Sequence, residues 1–351
     1  MLQSRTRWPI PIRTPPMEAL LVDALPDDGA WQFEPKWDGF RCLAFKAGDD
    51  VELRAKSGKS LSRYFPETVD ALRSLKASPF ALDGELVIPF EGSLSFDALQ
   101  MRLHPAESRI RRLARETPAL MVLFDMLADT RGHSLLKRPL TERRDALERF
   151  FASLKHPGPL RLSPFTRRRG DAQRWLDRAG GALDGVVAKR VEGPYVPGER
   201  AMLKVKRLQT ADCVVGGFRY ATEGRYVGSL LLGLYDDDGQ LHHVGFTSSI
   251  PRTERKALTT KLESLVAPPG FTGKAPGGPS RWSTERSTEW QPLKPRLVVE
   301  VRYDHVTGDR FRHGTKLVRW RPDKNPRQCT FEQLRPPKNA AQIVRRTLAS
   351  A

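Results

Sequence analysis

The chain has 351 residues, 39% of them hydrophobic, and its 59 lysines and arginines outweigh 41 aspartates and glutamates to give a formal charge of +18. That length allows one or two domains, and no apolar run approaches the roughly 20 residues that a membrane-spanning helix needs. Cys42, Cys213 and Cys329 lie too far apart for a zinc site or a disulfide framework, which fits a reducing cytoplasm. The basic balance points to a polyanionic partner, nucleic acid first, through attraction to phosphate.

Residues 1–16 carry arginines and prolines without an apolar stretch and read as a loose basic leader, not a secretory signal. Residues 31–36 alternate, with Gln32, Glu34 and Lys36 on one face and Phe33 and Pro35 on the other, which predicts a strand. Asp38-Gly39 then turns the chain. Residues 66–76 and 141–154 read as helices; 80–88 and 120–127 read as apolar strands, as do 183–190 and 202–206. The character changes at residues 207–210. Short strands at 213–220, 226–235 and 241–247 follow, with a turn at Asp236-Asp237-Asp238-Gly239. A helix is expected at 252–265, a mobile surface loop in the Pro/Gly-rich stretch 268–280, and strands at 296–303 and 314–320. Short strands around one helix suggest a partly open β-barrel of the OB type, a frequent nucleic-acid binder. The expected architecture is α+β, with domains at 1–207 and 208–351.

The chemistry concentrates in six segments. Lys36-Trp37-Asp38-Gly39-Phe40-Arg41 places a lysine at a strand end before a turn; burial or a neighbouring cation can turn such a lysine into a nucleophile. Asp83-Gly84-Glu85 closes an apolar strand with two carboxylates on one face. Phe124-Asp125 ends another apolar strand. Asp184-Gly185 turns into the β-branched run before Lys189, and Lys204-Val205-Lys206 puts two lysines on one strand face, suited to phosphate oxygens. Arg321-Pro322-Asp323-Lys324 comes last. Singly, each has a plainer reading: a surface lysine, a turn, a core aromatic, a solvated edge strand, a basic tail. Six in order are far more specific than any one.

In this order the segments resemble the motif set of the covalent nucleotidyltransferases, which include ATP-dependent DNA ligases, RNA ligases and mRNA-capping enzymes. The resemblance covers roughly residues 15–335. His104-Pro105-Ala106-Glu107-Ser108-Arg109, Ala211-Asp212-Cys213-Val214-Val215, the run from Gly228 to Leu234, and Val299-Glu300-Val301-Arg302-Tyr303 look like the small bacterial ligase C group, related to the ligase module of ligase D. The resemblance implies an ATP-grasp-like nucleotidyltransferase domain of antiparallel sheets and helices, followed by an OB-fold domain. It implies that Lys36 takes AMP from ATP, with Glu34 on the adenine amino group and Phe124 stacked on the base. Arg41 and Glu85 would contact the ribose or metal-linked water, and Asp184, with Glu85, would hold Mg²⁺ or Mn²⁺. Lys204 and Lys206 would grip the α-phosphate, Lys206 with Arg41 counting among the catalytic groups. Arg321, Asp323 and Lys324 would orient the leaving pyrophosphate, and Lys189 would assist.

Two positions depart from the family pattern: Asp184 stands where Glu is usual, and Ala55-Lys56-Ser57-Gly58 stands where Ser-Arg-x-Gly is usual, giving a cation without a bidentate fork. The implied enzyme is a monomeric, nucleoid-associated cytoplasmic protein acting on nicked duplex DNA, with no membrane contact and with repair proteins as further partners. About thirty residues precede the nucleophile segment, so a minimal two-domain form is expected, with residues 207–210 as hinge. The basic segments 102–115 and 167–169 are candidates to track the duplex. Competing readings are an RNA ligase, a GTP-using mRNA-capping enzyme and a non-catalytic OB-fold nucleic-acid-binding module. An NAD⁺-dependent ligase is disfavoured for want of a cysteine cluster.

Overall fold

The computed structural model describes residues 8–90, 93–178, 183–206, 209–277, 289–335 and 346. The chain divides into two compact units, with the boundary between Arg207 and Leu208. Those two residues of the expected hinge lie outside the described residues, as do 336–345 and 347–351 of the expected second domain.

In chain order the first unit contains β1 (Ala19–Leu21), β2 (Trp31–Lys36), β3 (Phe40–Ala47), β4 (Asp50–Ala55) and α1 (Pro66–Ser74). Pro66 opens α1 with its φ already helical and no backbone donor to waste. Then come β5 (Phe80–Val87), the small hairpin β6 (Pro89–Phe90) and β7 (Ser93–Leu94), α2 (Phe96–Arg102), α3 (Glu107–Glu116), β8 (Leu120–Ala128), α4 (Leu140–Ala152), β9 (Leu160–Leu162), α5 (Arg169–Arg178), β10 (Gly185–Arg190) and β11 (Met202–Lys206). These strands form one sheet in the order β4-β3-β5-β8-β9 and another in the order β1-β11-β10-β2. The sheets are mixed, not purely antiparallel as expected: β9 joins β8 in parallel, and β1 joins β11 in parallel. Parallel neighbours need long crossover connections, which the alternation pattern of a single strand does not reveal.

Alternation assigns the faces. In the second sheet Phe33, Val186, Ala188 and Val205 pack against Ala172 and Leu176 of α5, so Gln32, Glu34, Lys36, Val187, Lys189, Lys204 and Lys206 stand on the other face. In the first sheet Cys42, Ala44, Leu82, Leu86 and Leu123 join a core with the helical residues Val69, Leu72, Leu99, Leu147 and Phe150. The expected leader is corrected in part. Ile10 and Met17 are buried against Leu43 and Phe45, and Trp8 meets Phe45 edge-on at 6.3 Å. Fully burying such side chains is worth about 1.5–3 kcal/mol each, enough to hold a segment that carries no regular structure.

The second unit contains β12 (Gln209–Tyr220), β13 (Val227–Tyr235), β14 (Leu241–Thr247), α6 (Arg255–Glu263), β15 (Gln291–Pro292), β16 (Val298–Tyr303), β17 (Val306–Thr307), β18 (Arg310–Phe311) and β19 (Lys316–Trp320). Its main sheet runs β14-β13-β12-β16-β19, with β15 also on β12, and a parallel bridge joins Thr247 to Thr315. Gln209 and Thr210 of the expected hinge pair with Tyr303 and Arg302 in the β12–β16 ladder. The expected mobile loop 268–280 is corrected over its described part: Phe271 is buried against Trp290 and His243. Residues 278–280 lie outside the described residues. Among the described residues no helix is long and apolar enough to cross a membrane.

Candidate active site

The first unit holds a cavity of about 1020 Å³, lined among others by Glu34, Lys36, Arg41, Glu85, Phe124, Lys189 and Lys204. That volume lies at the upper end of the range of about 300–1,000 Å³ usual for small-molecule sites and accepts a whole nucleotide. Two sheets supply the walls, and the local backbone explains how. Lys36 is the last residue of β2, paired with Gly185, the first of β10. Gly185 has φ +146°, and a Cβ there would sit 2.0 Å from the Val205 carbonyl oxygen. Glycine is therefore required for Asp184 to come alongside Lys36. At Gly39 a Cβ would lie 2.1 Å from the Leu86 carbonyl oxygen, so only glycine lets β3 start tight against β5.

Asp184 is buried and joins Lys36 Nζ directly, while Lys206 Nζ lies 3.4 Å from its other carboxylate oxygen. Neither Asp184 nor Lys206 is among the cavity's lining residues; they stand behind Lys36. Lys204 does line it. Its amine is held below the usual lysine range by burial first and then by Lys36 and Lys206.

Asp83-Gly84-Glu85 lies inside β5 instead of closing it, and Phe124-Asp125 lies inside β8. Both strands run on because Leu86, Val87 and Met126 to Ala128 are themselves buried. The β5–β8 register passes from Asp83–Asp125 to Gly84–Leu123, skipping Phe124. This bulge re-aims the chain so that Phe124 meets the cavity while Asp125 joins a buried ion pair. Arg41 stands opposite Glu85 on β3. Its guanidinium is bound by Asp83 through two contacts of 2.6 Å and lies 4.6 Å over the Phe124 ring. Burial alone would weaken the proton's hold on Arg41, but Asp83 raises its pKa above the ordinary arginine value. The expectation that Arg41 meets a ribose is thereby narrowed, since Asp83 already takes its Nε and one Nη.

Glu85 behaves differently. No ion pair or side-chain hydrogen bond is formed by it among the described residues, and burial pushes it up to about 7, against the pull of Lys36 and Arg41. A half-buried carboxylate that forms no direct ion pair fits a divalent cation. Asp184 fits one less well, because the cation has to displace Lys36. No group of three or more metal-ligating side chains exists among the described residues. The residues therefore suit a cation held by one or two carboxylates and completed by substrate phosphates, the usual magnesium arrangement.

Of the further participants Lys189 and Lys56 fall in the segments singled out above, whereas Tyr195 carries no signal of its own in the sequence. Lys189 is buried, 2.8 Å from Glu34 and 4.8 Å over the Phe124 ring. Tyr195 donates to Asp83 at 2.7 Å and accepts from the Met17 backbone at 2.9 Å. Lys56 pairs with Glu18 at 2.9 Å on the cavity rim. Among the segments suggested to track the duplex, Arg102 is fully buried on Glu67 at 2.7 Å, whereas Arg109, Arg167, Arg168 and Arg169 are exposed. In the second unit Arg321 is bound by Asp212 at 2.8 Å and Asp323 at 2.8 Å, and Lys324 lies 3.4 Å from Asp212. Arg321 is the first cause holding the Asp323 carboxyl down to about 2.

A lysine at the wall of a nucleotide-sized cavity, with further lysines beside it and a second unit carrying an Arg-x-Asp-Lys segment, defines a covalent nucleotidyltransferase of ligase type. Residues 19–206 match the ATP dependent DNA ligase domain and residues 223–324 the ATP dependent DNA ligase C terminal region. The chain is 45% identical over 342 residues to DNA ligase C1 of Mycolicibacterium smegmatis, covering 93% of this chain and 95% of that protein. It is 29% identical over 325 residues to the multifunctional non-homologous end joining protein LigD of Mycobacterium bovis, covering 90% of this chain and 37% of that one. A solved structure of mycobacterial DNA ligase D complexed with ATP and MES is 28% identical, with a TM-score of 0.50, covering 91% of this chain and 98% of that one. The chain belongs to the ATP-dependent DNA ligase family.

Proposed function

We propose that the protein seals nicks between a 5′-phosphate and a 3′-hydroxyl in duplex DNA through a lysyl-AMP intermediate at Lys36, as part of DNA repair. The observation that carries the reading is Lys36 held by buried Asp184 at the wall of the cavity. Lys36 Nζ attacks the α-phosphorus of ATP; a P–N bond forms, the P–O bond to the β-phosphate breaks, and pyrophosphate leaves. The nick's 5′-phosphate takes the AMP from Lys36, and the 3′-hydroxyl then displaces it to make the phosphodiester. Each step is displacement at phosphorus, where positioning and charge neutralisation supply most of the rate.

Glu34 accepts the adenine amino group, Phe124 stacks on the base, and Arg41 keeps one Nη for the ribose. Lys204 and Lys206 hold the α-phosphate, and Arg321, Asp323 and Lys324 orient the pyrophosphate. Glu85, together with Asp184, would hold the cation. Mg²⁺ or Mn²⁺ supplies charge neutralisation on the phosphate oxygens when bound. The first unit is the adenylation domain and the second an OB-type barrel, a reading supported by its ligase C-terminal match and the bridge from Thr247 to Thr315. The enzyme acts as a monomer on nicked DNA in the cytoplasm; the name of the LigD relative supports the repair role and repair proteins as partners.

Incubation with ATP labelled at the α-phosphate and Mg²⁺ or Mn²⁺ tests this. Wild type should take up covalent label and lose it to nicked DNA as the nick closes, and Lys36→Ala should take up none. Label from GTP alone would favour capping chemistry. No label in protein stripped of AMP would leave a binding module.

A further inference from the structure

One acid stands among the cations at the mouth of the cavity, and the sealing reaction gives it no part. Glu18 lies where the chain enters β1. Its backbone is fixed on both sides: its amide donates to the Glu199 carbonyl at 2.7 Å, and its carbonyl accepts from the Met202 amide at 3.1 Å. The preceding residue is fixed as well, since the Met17 amide donates to Tyr195 and the Met17 carbonyl accepts from Arg41 at 3.4 Å. The carboxylate therefore has a set position. It meets Lys56 Nζ at 2.9 Å, in the turn that follows β4. Lys56 first, then Arg200 and Lys204, holds the Glu18 carboxyl below the ordinary range, against burial. Glu18, Lys56 and Lys204 line the same cavity. One carboxylate among three cations stands where a phosphate would be gripped. Lys56 is 60% exposed and Glu18 30%, and so open a pair adds little to stability.

The reaction needs such a place. An oxygen of the nick's 5′-phosphate attacks the α-phosphorus on Lys36, so the incoming phosphate comes in beside Lys204. Of the other cations lining the cavity, Arg41 is bound by Asp83 and Lys189 by Glu34, which leaves Lys56 and Lys59 at the rim. Lys56 is already taken by Glu18. We propose that Glu18 is a charge gate on the acceptor-phosphate site: it holds Lys56 against the singly charged phosphodiesters of intact duplex and yields to the more highly charged 5′-phosphate of a nick. A phosphodiester and a carboxylate each carry one negative charge, whereas a terminal phosphate carries about 1.5 to 2 at pH 7. Glu18 is tethered beside Lys56 and has no translational freedom to lose, so a ligand of equal charge gains nothing by exchange. A ligand with the additional charge gains from Lys56, Lys204 and Arg200 together. Glu18 is thus a specificity-determining residue that touches neither ATP nor the reacting atoms, and its role rests on the nick-sealing reading above.

The test uses the full chain carrying AMP on Lys36, freed of ATP and of divalent cation so that no transfer follows. Fluorescence anisotropy gives its affinity for duplexes of one sequence with a 5′-phosphate nick, a 5′-hydroxyl nick or no nick. One salt concentration is kept throughout, because phosphate contacts weaken with salt. Wild type should favour the 5′-phosphate nick over both other duplexes. Glu18→Gln keeps the shape and removes the charge. It should tighten binding of the intact duplex more than that of the 5′-phosphate nick, shrinking the preference by about tenfold, the lower end of what one hydrogen bond to a charged group is worth. Lys56→Gln should lower the preference by itself, and in its background Glu18→Gln should change nothing, because the gate acts on Lys56. No preference in wild type, an unchanged preference in Glu18→Gln, or the same shift with and without Lys56 would overturn the proposal. Should Lys56→Gln fail to fold, Glu18→Gln decides alone. Adding Mg²⁺ to the same samples separates the gate from the reading beneath it. If wild type then passes no AMP to the nick, nick sealing itself fails. If AMP is passed while Glu18→Gln keeps the wild-type preference, only the gate fails.

Discussion

The two ends of the cavity, with the residues behind them, are charged in opposite styles. At one end Glu34, Lys189, Asp125 and Arg143 are all paired and all buried. At the other, neither Lys204 nor Glu85 forms an ion pair among the described residues, and Lys36 and Lys206 both pair with Asp184. Paired buried charge is rigid and costly to disturb, which suits recognition of a fixed shape. Uncompensated charge is an unfavourable ground state that a phosphate or a cation relieves on binding, which suits a centre where charge moves. The contrast predicts that substitutions at the first end act mainly on folding and selectivity, and those at the second mainly on rate.

Lys36→Ala, with its complete loss of covalent label, is the largest effect. Next comes Arg143→Met, which strands Asp125 in the interior. It should lower unfolding free energy by about 3–5 kcal/mol, as breaking a buried ion pair does, measured by urea titration. A loss under about 1 kcal/mol would break the comparison at its rigid end. Lys204→Met should do the reverse. Single-turnover labelling should slow by about ten- to a hundredfold, the worth of one charge-assisted hydrogen bond. Stability should hold or rise, because an amine already depressed by burial is removed. A stability loss matching that of Arg143→Met would erase the distinction.

Smaller effects sharpen it. Tyr195→Phe removes one of three donors to Asp83 and should cost about 0.5–1.5 kcal/mol in the same titration. Glu85 gives a pH signature. Burial raises its folded value to about 7, so the folded protein holds a proton that the unfolded chain releases near the ordinary carboxylate range. Its contribution is full below that range and is lost as pH rises through about 7. In metal-free protein, Glu85→Gln should flatten that segment of the stability–pH curve; a slope identical to wild type would show that Glu85 titrates elsewhere.

The sequence alone determined which residues could do chemistry. Period-two alternation is enough to put Gln32, Glu34 and Lys36 on one face of β2, because successive side chains of a strand must point to opposite sides. The ordered segments singled out the lysine and the carboxylates by motif, and the change of character at residues 207–210 put the expected boundary near residue 208. Tertiary structure decided what those residues meet. Arg41 and Asp83 are 42 positions apart and Lys189 and Phe124 65 apart, and no local pattern encodes such distances. Lys189 reads locally as one polar residue at the end of an apolar strand, Gln32 as a polar neighbour of Glu34, and Tyr195 as part of a loop. Arg102 reads as one more cation of a basic helix until Glu67 and the core close over it. The parallel pairings of β1 with β11 and β9 with β8 likewise depend on crossovers, not on either strand's own residues. Pairing and burial are properties of contacts between distant segments, so the chain carries the donors and acceptors, and the fold alone settles which charges are cancelled and which remain.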